Sequence, residues 1–421
     1  MVWLILAAYM VNYKEHILPN GLHLIIHEDH NTPLVCLNIL YKVGSRNENE
    51  DKTGFAHLFE HLMFGGSQNV EKFDEPLQAV GGENNAFTNT DITNYYITIP
   101  SANVETAFWL ESDRMLSLSF DPEVLEVQRK VVIEEFKQRY LNQPYGDVWL
   151  KLRPVAYQAH PYQWPTIGKS IKHIEDATMD DVRSFFQKHY HPGNAVLVVA
   201  GDITEEAALA LTEKWFGPIP QQKMPEEGIT PEPKQTAPRH LDIKAKVPSN
   251  TIYKTYHMPG RLERDYHAVD LLSDILGRGK SSILYNELVK RRPMFTSLSA
   301  SVSGSYDPGL LVISGKLLPE VTLEEADKAI QELLAPMKLS VDEDLLQKVK
   351  NQAETTTIFG EVDLLNRAMG LAYAAFLGNP ELINEELEIV KSITPEEITA
   401  AAKNVLREEN CTTLYYQKEE V

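Results

Sequence analysis

The segment His57-Leu58-Phe59-Glu60-His61 places two histidines and a glutamate inside an apolar run, Gly54 to Phe64, that predicts a helix. Residues four apart in a helix project from one face, so both imidazoles can reach a single Zn²⁺ ion. Glu60 follows His57 by three residues and lies on the same side, where it can face a water molecule at the metal. The pattern favours zinc chemistry, although a helical histidine pair can also be a half-buried packing feature.

A catalytic zinc ion usually has three protein ligands and one open position, and the segment after Asp121-Pro122 offers a candidate third ligand. Asp-Pro predicts a helix start, and the apolar residues that follow share one face: Val124, Leu125, Val127, Val131, Val132, Ile133, Phe136 and Tyr140. Glu135 falls about 70° from the centre of that face and Glu134 roughly opposite it. A carboxylate at a buried edge needs a partner, and either a metal ion or Arg139 could be that partner.

These residues resemble those of the M16 (pitrilysin-like) zinc metallopeptidases, whose H-x-x-E-H motif is the inverzincin signature. The context from His57 to Ser67 and the distal Val131-Val-Ile-Glu-Glu135 both match that family. Gly81-Gly-Glu-Asn-Asn-Ala-Phe-Thr88 and the segment from Phe185 to Asp202 match as well. The resemblance covers most of the chain, most strongly from Leu18 to Pro218, and is greatest to the short, two-domain bacterial and mitochondrial processing-peptidase branch.

The resemblance implies a site and a reaction. His57, His61 and Glu135 would hold Zn²⁺, and Glu60 would be the general base. The chain would be an insulinase-like endopeptidase that degrades short or unfolded peptides. The peptide backbone would pair with an edge strand formed by Asn85, Ala86, Phe87 and Thr88.

Two departures from the family pattern concern activity and partners. Active members generally carry an Arg and a Tyr, seven residues apart, in the second domain, and here Thr296 or Ser297 stands where the Tyr is expected. Gln128 stands where many relatives have a supporting glutamate. Since four such domains enclose a peptide in this family, the resemblance implies a dimer. The dimer is either a homodimer or a heterodimer with a zinc-less M16 subunit that carries the Arg/Tyr pair. The alternative is a catalytically silent or assembly subunit.

Composition limits the remaining possibilities. A formal net charge of −20, from 60 acidic and 40 basic side chains, argues against a nucleic-acid partner. Cys36 and Cys411 offer neither a disulfide framework nor a cysteine metal site. The apolar start, Met1 to Met10, has no basic residue and is too short to span a bilayer, so no membrane partner is expected. Met10 is a candidate initiator. We expect a cytoplasmic protein, or a periplasmic one if the apolar start acts as a signal.

Six prolines between Pro218 and Pro238 divide the chain nearly in half. The sequence therefore predicts an upstream extension at 1–9, a catalytic domain at 10–218, an extended linker at 219–240 and a second domain without metal ligands at 241–421. Leu271–Gly279 would replace the zinc helix in that second domain. The predicted fold is α+β: two homologous sandwich domains in a clamshell, each a mostly antiparallel sheet with helices on one face. The histidine-bearing segment 27–30 is predicted to be a solvated turn, and segment 189–191 is predicted to be a loop at a helix end.

Overall fold

The computed structural model describes residues 10–223, 228–338 and 340–419, so the predicted extension at 1–9 lies outside the described part. The described residues divide into two compact units. Unit 1 draws its residues from Met1–Lys137, Trp164–Ile229 and Thr357–Glu385. Unit 2 draws its residues from Gln138–Gln163, Thr230–Thr356 and Glu386–Val421.

Unit 1 contains a six-stranded sheet. Its strands are β1 (Lys14–Ile17), β2 (His23–Glu28), β3 (Leu34–Tyr41), β4 (Glu83–Thr88), β5 (Thr93–Pro100) and β6 (Ala195–Gly201). Their spatial order is β1-β2-β6-β3-β5-β4. Only β2 and β6 run parallel; the other neighbouring pairs are antiparallel. The hairpin of β1 and β2 turns at Asn20-Gly21, where Gly21 has the positive φ of 88° that glycine adopts readily.

Unit 2 contains a five-stranded sheet, whose strand order matches that of β2–β6 in unit 1. Its strands are β7 (Arg239–Ala245), β8 (Thr251–His257), β9 (Phe295–Ser303), β10 (Leu310–Leu317) and β11 (Cys411–Lys418). Their spatial order is β7-β11-β8-β10-β9, with β7 and β11 parallel and the other pairs antiparallel. Counted along the chain, β2–β6 and β7–β11 both follow the order first, fifth, second, fourth, third. The shared order confirms the predicted pair of homologous, mostly antiparallel α+β domains.

The α-helices of the described residues are numbered along the chain. They are α1 (Phe55–Leu62), α2 (Asp74–Ala79), α3 (Val104–Leu116), α4 (Pro122–Phe136), α5 (Val148–Ala156), α6 (Ile171–Glu175), α7 (Met179–His189), α8 (Glu205–Trp215), α9 (Arg264–Gly277), α10 (Leu323–Met337), α11 (Glu343–Gly360), α12 (Leu364–Phe376), α13 (Leu382–Ser392) and α14 (Pro395–Val405). Helix α1 lies between the second and third of the five equivalent strands in unit 1, and α9 lies between those of unit 2. The two helices are therefore counterparts.

Helical cover is more complete than the single covered face that the sequence predicts. Strand β6 is buried at every position, which requires cover on both sides of the sheet of unit 1. Along β10 of unit 2, Leu311 and Ile313 join the main core, while Leu310 and Val312 pack with Tyr157 at the end of α5. Alternate residues of a strand point to opposite faces, so both faces of this sheet are covered.

The two units differ from the predicted sequence halves, 10–218 and 241–421, by two exchanged segments. Helix α5, from the first half, packs on β7 and β11 in unit 2, and α12, from the second half, packs on β3 and β6 in unit 1. The predicted linker is also partly packed: the Glu232 carboxylate accepts the N–H of His160 at 3.0 Å, and Gln235 donates to Cys411 O at 2.9 Å. None of the helices in the described ranges has the length and apolar character that crossing a membrane requires.

Candidate metal centre

Helix α1 carries three of the four predicted site residues. It is anchored through its buried side, which consists of Phe55, Ala56, Leu58, Phe59 and Leu62. His57, Glu60 and His61 occupy the other side and stay half-buried, within reach of solvent. The predicted helix over the H-x-x-E-H motif is therefore present, with all three polar side chains on its half-buried face.

Helix α4 supplies Glu135. The helix begins as predicted, because the Asp121 side chain accepts the N–H of Glu123 at 2.8 Å and Pro122 occupies the first turn. Glu134 faces outward and pairs with Lys137 at 2.6 Å, whereas Glu135 is half-buried against α1. The structure thus separates the two neighbouring glutamates in the way the helical periodicity predicts.

The assignment of Val127 and Val131 to the buried face of α4 is wrong. These residues are 55% and 44% exposed. The buried residues of the helix are Leu125, Val132 and Phe136. Val132 and Phe136 follow Leu125 by seven and eleven residues, so all three lie on one side of the helix. The helix rests on this narrow stripe, and Val127 and Val131, which lie about 160° and 120° from its centre, stay in solvent.

The three predicted ligands come together at one point. His57 Nε2 and His61 Nε2 each lie 3.6 Å from Glu135 Oε2, and the two imidazole rings are perpendicular with centroids 4.9 Å apart. Ligand atoms about 2.1 Å from a tetrahedral zinc ion lie roughly 3.4 Å from one another, so this donor set fits zinc. Within residues 10–223, 228–338 and 340–419, this is the only trio of His, Cys, Asp or Glu side chains whose ligand atoms gather within 4.8 Å.

Two buried phenols lie close enough to Glu60 to respond to its charge. Burial raises the pKa of Tyr95 and of Tyr190, and the negative charge of Glu60 adds to both shifts. The Tyr95 hydroxyl donates to Phe59 O of α1 at 3.4 Å, and the Tyr190 ring stacks on the Phe59 ring at 5.1 Å. Both phenols therefore remain protonated and support the helix that carries Glu60.

Two buried charged groups around α1 were not predicted from the sequence. Arg114 lies over the rings of Phe64 and Tyr95 at 5.0 and 4.4 Å and pairs with Glu111 at 2.8 Å. The Glu48 carboxylate accepts N–H groups at the start of α1; burial raises its pKa to about 8 while these hydrogen bonds lower it. Neither residue belongs to a short motif, so no local spacing could have indicated them.

The predicted substrate-binding residues Asn85, Ala86, Phe87 and Thr88 lie on β4. This strand is the last in the sheet of unit 1 and pairs only with β5 among the strands of the sheet. It contacts α1, so the outer edge of the sheet, which pairs with no further strand in the described residues, runs beside the helix that bears His57 and His61. Phe87 is partly exposed there, and the substrate-binding role of the strand stays a prediction.

Other predicted features are placed as follows. Thr296 and Ser297 lie at the exposed start of the edge strand β9, and Thr296 Oγ1 donates to Lys316 O at 3.2 Å. His27, which was predicted to lie in a solvated turn, is buried and bonds Asn12 O at 2.6 Å; His189 and His191 lie at the predicted helix end, the end of α7, and are buried there. Only His30 of that group is exposed, where it bonds Asp202 at 2.8 Å.

Comparison with known proteins matches the chain to two family models. Residues 23–169 match the model of insulinase (peptidase family M16), and residues 176–353 match the model of the peptidase M16 inactive domain. The chain is 31% identical over 386 residues to the zinc protease PqqE of Helicobacter pylori, covering 86% of each protein. It is 26% identical to an uncharacterized zinc protease of Rickettsia felis, covering 94% of this chain and 95% of that protein.

Solved structures agree in fold. The crystal structure of a protease from Helicobacter pylori superposes with a TM-score of 0.92 at 28% identity and covers 97% of this chain and 100% of that one. A peptidase M16 inactive domain from Pseudomonas fluorescens superposes with a TM-score of 0.88 at 19% identity, covering 97% and 98%. The match therefore extends over nearly the whole chain and includes both sheets.

Proposed function

Because the chain belongs to peptidase family M16, we propose that it is a zinc-dependent endopeptidase that degrades short or unfolded peptides. The observation that carries the proposal is the meeting of His57 Nε2, His61 Nε2 and a Glu135 carboxylate oxygen beside the helix that bears Glu60. The names of the relatives, which call them zinc proteases, support both the metal and the reaction class.

His57, His61 and Glu135 would hold the ion in an inverzincin arrangement, two imidazoles and one carboxylate. When bound, zinc lowers the pKa of a water molecule and polarises a carbonyl group. The side chains contribute fixed positions: two ligands are four residues apart on one anchored helix, and the third comes from α4, whose rotation is set by Leu125, Val132 and Phe136.

Glu60 is proposed as the general base and then the general acid. Its carboxylate accepts a proton from the water that adds to the scissile carbonyl carbon, and it returns that proton to the amine when the C–N bond breaks. Tyr95 and Tyr190 do not compete as bases, because burial and the charge of Glu60 raise the pKa of both phenols.

The free edge of β4 is proposed to receive the substrate. An extended peptide that pairs with Asn85, Ala86, Phe87 and Thr88 would add a strand to the sheet beside α1. Main-chain pairing recognises extension more than sequence, so we expect loose side-chain preference. The partly exposed Phe87 supplies an apolar contact on that edge.

A dimer is proposed to complete the catalytic chamber. The resemblance to active M16 enzymes calls for an Arg/Tyr pair, and the exposed Thr296 and Ser297 stand where the Tyr is expected. A zinc-less M16 subunit that carries the pair would supply an oxyanion donor worth about 3 kcal/mol. A homodimer would have to manage without that donor.

Cleavage of a quenched library of unstructured peptides by the purified chain tests the proposal. Wild type is compared with Glu60→Gln and with Glu134→Gln, which alters an exposed glutamate next to the ligand Glu135. We expect cleavage that a chelator abolishes, a rate about 10²–10⁴-fold lower in Glu60→Gln with zinc still bound, and normal zinc content and rate in Glu134→Gln.

The possible outcomes separate the alternatives. A wild-type chain that binds no zinc contradicts the proposal. Zinc binding without cleavage favours the silent or assembly subunit, unless cleavage appears when a zinc-less M16 subunit is added, which would establish the heterodimer. Full cleavage by the chain alone contradicts an obligate heterodimer.

A further inference from the structure

The carboxylate of Glu48 is enclosed at the N-terminus of α1. Glu48 is only 8% exposed. Its Oε1 accepts the N–H of Ala56 at 2.8 Å, and its Oε2 accepts the N–H of Gly54 at 2.9 Å and the indole N–H of Trp164 at 3.1 Å. Both carboxylate oxygens therefore accept hydrogen bonds, and backbone N–H groups at the start of the helix are among the donors.

This contact replaces an ordinary helix cap. The N-cap residue is Gly54, which has no side chain to accept a first-turn N–H and adopts a φ of 89°. A Cβ atom at this position would lie 2.6 Å from Ile167 O, so serine or aspartate cannot take its place. The start of α1 is therefore held by a carboxylate that arrives from six residues upstream.

The charge of this carboxylate also matters for a metal ion. His57 is the third residue of α1, within the first turn, where the partial positive charge of the helix N-terminus disfavours a nearby cation. The carboxylate of Glu48 offsets that charge in its ionised form; burial raises its pKa to about 8, whereas the N–H groups on both oxygens, and a cation bound nearby, favour ionisation. Low local polarity strengthens the effect, because Glu48 is shielded from water.

The counterpart helix in unit 2 lacks this device together with the metal ligands. The N-cap of α9 is Glu263, which makes no side-chain hydrogen bond to the helix; its carboxylate accepts the N–H of Gly260 instead. Topology alone therefore does not require a carboxylate on the first turn at this place in the fold.

We propose that Glu48 is a positioning residue for the metal centre: it fixes the first turn of α1, on which His57 lies, and neutralises the helix N-terminus for a bound cation. The proposal rests on the zinc site described above. It assigns Glu48 no contact with the ion or the substrate.

Zinc affinity, measured by competition with a chelator, tests the proposal in Glu48→Gln and Glu48→Asp. Glutamine keeps the shape but loses the charge and one acceptor, and we expect about 10–100-fold weaker zinc binding, the range for outer-shell partners. Aspartate keeps the charge on a shorter side chain, so its affinity should fall between those of Glu48→Gln and wild type. The absorption spectrum of the cobalt(II)-substituted protein should change as well, because the direction of His57 changes.

Glu232→Gln is the matched control. Its side chain is 6% exposed and accepts three backbone N–H groups, those of Gln158, Ala159 and His160, at 2.9–3.0 Å in unit 2. Both Gln variants should lower the melting temperature of the metal-free protein. Only the Glu48 variants should change zinc affinity and the cobalt spectrum.

Each outcome decides one question. If wild type binds no zinc, the proposed function fails. If wild type binds zinc and Glu48→Gln binds it within twofold, with an unchanged cobalt spectrum, the proposed function stands and the role of Glu48 is overturned. If Glu48→Gln does not fold, Glu48→Asp decides: wild-type affinity and spectrum in that variant overturn the proposal.

Discussion

Helices α1 and α9 occupy the same place in two sheets whose five equivalent strands follow one order. Helix α1 keeps polar side chains on its half-buried face, and His57 and His61 meet Glu135 there. Helix α9 is longer and more enclosed, with ten of its 14 residues buried. The scaffold therefore does not determine the chemistry; the burial of one helix face does.

The second pair of counterparts differs in the same way. Helix α4 is the second α-helix after β5, the fourth equivalent strand of unit 1, and α11 is the second α-helix after β10, the fourth equivalent strand of unit 2. In unit 1, α4 brings Glu135 to α1. In unit 2, the space between Arg278, at the end of α9, and α11 is an open groove of about 690 Å³, lined on the α11 side by Gln347, Lys348, Asn351 and Thr355 among others. Charged, amide and hydroxyl side chains line this groove, where unit 1 has the candidate ligand trio.

The largest expected effect is the loss of zinc binding when the candidate metal site of unit 1 is changed. Glu135→Ala removes the third ligand and should weaken zinc binding by more than the ~100-fold that an outer-shell change costs. His267→Ala alters the buried histidine of α9, whose pKa burial lowers to about 4, and should leave zinc content unchanged. Metal analysis after dialysis compares the two. Zinc lost from His267→Ala would mean that α9 takes part in the metal site.

Buried charges in unit 2 should act on stability alone. Lys254 Nζ lies 2.7 Å from Asp327 Oδ1 and 3.0 Å from Thr413 Oγ1, and the Tyr415 hydroxyl donates to Asp327 Oδ2 at 3.0 Å. Lys254→Met leaves Asp327 without its counter-charge and should lower the free energy of unfolding by about 3–5 kcal/mol.

Denaturant unfolding measures this loss. Lys254→Met combined with Asp327→Leu should recover most of it, and Lys172→Met at an exposed pair with Asp176 should change little. A change in zinc affinity of the folded Lys254→Met protein would contradict the separation of roles between the units.

The pH dependence of unit 2 provides a smaller effect. Burial raises the pKa of Asp270 on α9 from 3.8 to about 6, and the charge of Asp274 adds to it. Between these values the folded state holds a proton that the unfolded chain releases. The stabilisation is therefore complete below pH 3.8 and is lost as the pH rises through 6. Two pKa units correspond to about 3 kcal/mol.

Asp270→Asn should lack this dependence. Melting temperatures from pH 4 to pH 7 should fall more steeply in wild type than in Asp270→Asn, and the exposed Asp265→Asn on the same helix should follow wild type. Parallel curves for wild type and Asp270→Asn would contradict the assignment.

The helices of the candidate site and the first hairpin can be predicted from the sequence because they depend on residues that are close together in the chain. Periodicity predicts α1 and α4 and separates Glu135 from Glu134, and the Asn20-Gly21 turn predicts the first hairpin. The exchange of α5 and α12 between units depends on contacts far apart in sequence, so a boundary drawn at the prolines misses it. Glu48 is missed for a different reason: it lies only six to eight residues before the N–H groups that it accepts, but the loop that turns it back onto the start of α1 follows neither helical nor strand periodicity.

The smallest expected change in stability comes from the residues that hold α4 in place. Its counterpart α11 is held in a similar way, through the buried residues Leu346 and Val349. Val132 is fully buried, and Val132→Ala should cost about 2 kcal/mol through lost contacts and a residual cavity. Val131→Thr, at an exposed position, should stay within about 0.5 kcal/mol of wild type. Melting temperatures of the metal-free proteins compare the two.

Successive helical residues differ by about 100°, so the residues that fix the rotation of α4 decide which glutamate faces His57 and His61. An equal loss in both variants would mean that α4 packs through a wider face, and the selection of Glu135 over Glu134 would need another cause.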